Sequence, residues 1–263
     1  MIKFKKTTQG LVKSDIVIYL FLVLFTLVAE IYTVLGYLFV CVSINILVLI
    51  MFIFLTFRKY NDYAYSLYLA ITLIPLIRII SLSIPLTNVP QFLVFAVVGI
   101  PLFIAGAIVA KLLGLTANAM GFKLVKLQNQ LLFGLMGLPL GYIEFLVLKP
   151  SLNYNPTPKE TIVWAAVIIL FTGLLEEFLY RGILYNVFSR LLGYKKAAYF
   201  TSILYAAMTV SGNSFLNTAY AFLLSVLFCR LFYELKSIWG LSFAHGLINV
   251  SLYIICPLCF TYL

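Results

Sequence analysis

Apolar runs long enough to cross a bilayer recur along nearly the whole chain, separated by short polar or Pro-rich breaks. A crossing helix needs about 20 predominantly apolar residues. Nine candidates are read, at roughly 16–35, 38–57, 63–84, 91–113, 129–148, 160–180, 197–211, 215–233 and 238–256. The seventh is short enough to be tilted or partly re-entrant, so eight spans is the alternative. The runs are continuously apolar, not alternating, which argues against a β-barrel. SIPLTNVPQ (83–91) reads as a Pro-rich turn. KPSLNYNPTPKE (149–160) is the longest polar loop and divides N-terminal helices (1–150) from a C-terminal functional unit (151–263). KLLGLTANAMGFKLVKLQNQ (111–130) mixes Leu, Phe and Lys as an interfacial amphipathic segment would. The predicted class is all-α, a polytopic transmembrane helical bundle of eight or nine spans.

Composition agrees with this pattern. The chain is 64% hydrophobic and 10% charged, where a soluble domain carries roughly a quarter charged residues. The net charge of +10 does not imply a nucleic-acid partner, because Lys and Arg gather in cytoplasmic loops. With the N-terminus in the cytoplasm, 15 of the 18 basic residues fall on that side. Lys149 and Lys159 fall outside, and Arg78 lies within the third span. The first apolar run follows a basic N-terminus without a small-residue cleavage site, so it reads as an anchor. The expected location is a multi-pass membrane protein, in the plasma membrane of a prokaryote or the endoplasmic reticulum of a eukaryote. Cys41, Cys229, Cys256 and Cys259 lie in or beside apolar segments and have no second pair or histidine to complete a metal site.

Two carboxylates stand out against this background. The chain has 8 acidic residues, and Glu176 and Glu177 are adjacent in LLEEFLYRGILYNVF. An ionisable group at bilayer depth costs a few kcal/mol and normally faces protein or water. Glu177 and Arg181 are four residues apart and share a helix face. Glu176 points about 100° away. If Arg181 neutralises Glu177, Glu176 has no partner in its own helix, and a desolvated free carboxylate suits a general base. The only histidine, His245, lies in SIWGLSFAHGLINV, with Asn249 four residues on. Both side chains can donate to a developing oxyanion. Ser242, Ala244 and Gly246 around them would admit a close neighbour. Arg78 reads as neutralised by Glu30 or Glu144 between spans, the alternative being a second polar site. Most aromatics, Tyr205 included, read as lipid-facing or belt residues.

The EEFLYR segment resembles the EExxxR motif of the CPBP family of intramembrane proteases, and HGLIN resembles its last motif. That family includes type II CAAX prenyl endopeptidases and the bacterial Abi-type and bacteriocin-immunity proteins. The resemblance covers about 160–256. It implies a metal-independent glutamate protease with no cofactor, cutting a peptide or membrane-protein substrate in the lipid bilayer. Glu176 would activate water, His245 and Asn249 would form the oxyanion hole, and Glu177 and Arg181 would be structural partners. The family's middle motif pairs an aromatic residue with a histidine four positions later. In TSILYAAMTVSG, Tyr205 fits the aromatic position and Thr209 stands where the histidine is expected. A threonine hydroxyl holds a water but does not take its proton near pH 7. The resemblance is therefore compatible with a slow protease, one with another helper, or a pseudoprotease serving as a membrane scaffold.

Other chemistries fit less well. HExxH is absent, a rhomboid-like pair would need Ser214 with His245 across the membrane, and Asp15 and Asp62 lie too near loops for an aspartyl protease. No inverted repeat suggests a transporter.

Overall fold

The computed structural model describes residues 13–58, 62–85, 89–151, 156–212 and 214–260, and these form helices joined by turns, with no strand among them. Among the described residues, eight helices are long and apolar enough to cross a membrane. We label them α1 (Lys13–Val34), α2 (Leu38–Phe57), α3 (Asp62–Ser83), α4 (Val94–Leu112), α5 (Leu127–Leu148), α6 (Pro158–Leu192), α8 (Phe215–Leu235) and α9 (Trp239–Cys259). The short helix α7 covers Tyr194–Ala207, 14 residues, about 21 Å at the rise of an α-helix, which falls short of a bilayer core. It ends in a turn and a 3-10 stretch at Val210–Gly212. Of the two layouts, eight spans is the one observed.

Helix α6 organises the bundle. Its start is fixed by a capping box: the Thr157 hydroxyl accepts from the Glu160 amide, and the Glu160 carboxylate accepts from the Thr157 amide at 2.8 Å. Pro158 at the first helical position suits the entry. The helix then widens into π turns at Ile169–Leu174 and Phe178–Tyr185, with one α turn, Leu175–Glu177, between them. Such π segments are common at functional sites, and here they bracket the two glutamates.

Helix α9 packs against the first π stretch of α6 and against α5. Small residues permit this approach. A Cβ on Gly173 would meet the Ser242 carbonyl at 2.3 Å, and one on Gly137 would meet the Ala244 carbonyl at 2.2 Å. The small residues around His245 are therefore in backbone contact with two helices. Residues 113–126 form turns and irregular backbone between α4 and α5. The residues just before α9 tie them down: Ile238 N–H donates to the Gly121 carbonyl and the Ser237 hydroxyl donates to the Lys123 carbonyl, while Phe122 packs at an angle against Phe178 and edge-on against Trp239.

Overpacking a tight contact typically costs about 1–3 kcal/mol. Gly173→Ala should therefore lower the thermal midpoint in detergent or nanodiscs. Gly182→Ala meets nothing closer than 3.4 Å and should be neutral, so equal losses in the two variants would contradict the α6–α9 packing described. The charge bias predicts that a reporter fused before Lys3 lies in the cytoplasm; a signal from the opposite side would reverse the orientation.

Candidate active site

Four elements supply the site. Helix α6 contributes Thr172, Glu176, Glu177 and Arg181; α9 contributes His245 and Asn249; the end of α7 and the turn after it contribute Tyr205 and Thr209; α5 contributes Glu144. The spacing expected from the sequence holds: the Arg181 Nη1 donates to Glu177 Oε1 at 3.0 Å within α6. Both side chains are buried, at 0% and 1% exposure. Arg181 also donates to the Ser225 hydroxyl of α8 at 3.0 Å and lies over the Tyr205 and Phe228 rings at 5.3 and 5.4 Å.

Glu177 does more than neutralise Arg181. The same Oε1 lies 2.9 Å from His245 Nδ1. A carboxylate only accepts, so Nδ1 carries the hydrogen. The other ring nitrogen, Nε2, is left for Tyr205 Oη at 3.4 Å and Glu176 Oε2 at 3.6 Å. The histidine is thus held between the two adjacent glutamates. Glu177 faces the protein, and Glu176, 34% exposed, faces a cavity.

That cavity measures about 500 Å³, the size of a small-molecule or peptide side-chain site. Glu176, His245, Asn249, Tyr205 and Thr209 all line it, with Thr172, Glu144, Arg78 and an apolar wall that includes Val98, Leu102, Phe171 and Leu179. Glu176, Thr209, His245 and Asn249, which come from two distant motifs and a turn, are therefore on one surface. Tyr205 points inward, not to lipid as expected, because its ring packs at 4.9 Å against Tyr180 and its hydroxyl meets His245. Arg78 pairs with Glu30, not Glu144. Ser214 caps α8 by accepting from the Asn217 amide, a local role away from His245.

One cavity residue, Thr172, escaped the sequence reading, and another, Glu144, was considered there only as a partner for Arg78. Thr172 accepts from Asn249 Nδ2 at 2.9 Å while donating to the Ile168 carbonyl at 2.7 Å. It orients the carboxamide and leaves the second amide hydrogen available. Thr172 stands four residues before Glu176, so the i, i+4 rule that paired Glu177 with Arg181 would have found it. Glu144 is a further cavity carboxylate, with no ion pair among the described residues. Its neighbours come from remote segments, and no local spacing marks it. The Thr209 hydroxyl donates to the Ala206 carbonyl at 2.8 Å, so only its lone pairs face the cavity. Among the described residues no group of three or more His, Cys, Asp and Glu has the geometry to hold a metal ion.

Residues 158–251 match a family model described as Type II CAAX prenyl endopeptidase Rce1-like. No curated protein and no solved structure matches the chain. The matched segment holds α6 to α9 up to the π stretch that follows Asn249, and with it every expected site residue. The eight apolar helices make the chain a multi-pass integral membrane protein, and its C-terminal segment, residues 158–251, is similar to the type II CAAX prenyl endopeptidases.

Proposed function

We propose that the chain is an intramembrane endopeptidase of the glutamate type, with Glu176 as general base and His245 and Asn249 as oxyanion donors. The observation that carries this reading is the placement of Glu176, His245 and Asn249 on one cavity while Arg181 is turned away on Glu177. Glu176 takes a proton from a cavity water, and the oxygen attacks the scissile carbonyl. The free hydrogen of the Asn249 amide, and Nε2–H of His245 in its doubly protonated form, donate to the resulting oxyanion. Glu176 then returns its proton to the leaving amine, since the acid formed in the first step is the nearest donor. The apolar wall of the cavity suits a peptide or membrane-tethered tail.

Thr209 supports a second reading. The hydroxyl is committed to Ala206 and cannot assist proton removal, so the same site would serve as a slow protease or as a scaffold that binds a partner in the cavity. Acid–base help is worth roughly 10²–10⁴-fold. Cleavage of membrane-tethered peptides by the purified chain in vesicles separates the readings. Glu176→Gln is expected to lose about 10²-fold or more, and equal rates in wild type and variant would sink the catalytic role. Thr209→His is expected to raise the rate about tenfold or more; an unchanged rate would mean that water activation does not pass through this position.

A further inference from the structure

Besides the cavity residues of α4 and α5, an ion pair joins the site to helices outside the matched segment. Glu30 of α1 and Arg78 of α3 lie in the N-terminal helices, outside 158–251. Arg78 Nε and Nη2 both donate to the Glu30 carboxylate, the second at 2.5 Å. Glu30 is fully buried. Mutual neutralisation would require nothing more. Yet Nη2 also donates to the Met208 carbonyl and to the Ser211 hydroxyl, at 3.1 Å for the latter. These two residues flank Thr209 in the turn between α7 and α8.

The chemistry of a helix end explains the contact. The last carbonyls of a helix have no intrahelical donor and carry the negative end of its dipole. Met208 is the residue that closes α7. A guanidinium from another helix satisfies its carbonyl, and the buried carboxylate of Glu30 fixes that guanidinium in place. From Met208 the contacts continue into the cavity. Its Sδ accepts from the Tyr180 hydroxyl at 3.0 Å; the Tyr180 ring meets the Tyr205 ring edge-on at 4.9 Å; and Tyr205 Oη lies 3.4 Å from His245 Nε2.

We propose that the Glu30–Arg78 pair is a positioning clamp: it caps α7, fixes the turn bearing Thr209, and through Met208, Tyr180 and Tyr205 sets the placement of His245 Nε2. Helices α1 and α3 thereby act on the site through the turn between α7 and α8. The effect on turnover rests on the proteolytic reading, whereas the effect on His245 does not.

The chain has one histidine, so ¹⁵N-histidine labelling of the full chain in nanodiscs gives a single imidazole to observe. Tyr205→Phe removes the direct contact and defines the direction in which the Nε2 resonance moves. Arg78→Gln is expected to move it in that direction and to lower kcat about 10²-fold, as small misplacements of catalytic groups do, with KM little changed. Arg78→Lys keeps the charge but loses the fork and is expected to fall between Arg78→Gln and wild type. Because Arg78→Gln leaves Glu30 buried without its partner, the double variant Glu30→Leu with Arg78→Met removes both charges; it is expected to fold and still show both changes. A double variant that folds with an unmoved Nε2 resonance overturns the proposal. So does a Tyr205→Phe variant that leaves the resonance in place, or a loss of thermal midpoint with no change at Nε2. If the wild-type chain cuts no peptide, the proteolytic reading fails, and the histidine resonance still decides the clamp.

Discussion

A single buried carboxylate oxygen, Glu177 Oε1, binds the two cationic or proton-bearing groups on which the site depends. It accepts from Arg181 at 3.0 Å and from His245 at 2.9 Å. Removing one partner of a buried ion pair costs about 3–5 kcal/mol because the other charge is left uncompensated. In this chain the cost would reach three helices, since Arg181 also holds the Ser225 hydroxyl of α8 and His245 belongs to α9. Burial of this pair frees Glu176. The two glutamates are adjacent in sequence but differ in environment, one sealed in protein and one open to a cavity.

The backbone makes this division possible. Gly173 lets the π-widened part of α6 lie against the Ser242 carbonyl, so the imidazole of α9 reaches between two neighbouring side chains of α6. Thr172 then fixes Asn249 on the same face. Polar groups that are costly in a membrane are thus concentrated where each finds a partner, and the remaining surface of the spans is apolar.

Much of the site was legible in the sequence because its key relations are local. Glu177 with Arg181, and His245 with Asn249, are one helical turn apart, and that spacing survives in the structure. The bridge from Glu177 to His245 was not legible, since it joins residues 68 positions apart. The contacts of Arg78 with Met208 and Ser211 span still more chain. Hydropathy located the spans well but read α7 as a ninth candidate, because an apolar helix packed inside a bundle has the same composition as one crossing lipid. Nor does hydropathy show the bonds to the Gly121 and Lys123 carbonyls that tie residues 113–126 to Ile238 and Ser237, because backbone acceptors are invisible to side-chain pattern.

In the proposed mechanism Glu176 activates a water and does not itself attack the peptide bond. A single turnover of a membrane-tethered peptide in H₂¹⁸O, followed by mass spectrometry of product and protein, tests it most directly. Attack by an activated water puts ¹⁸O in the new carboxylate of the product and none in the fragment bearing Glu176. Label in the Glu176 carboxylate, or a cut product without label, would contradict it.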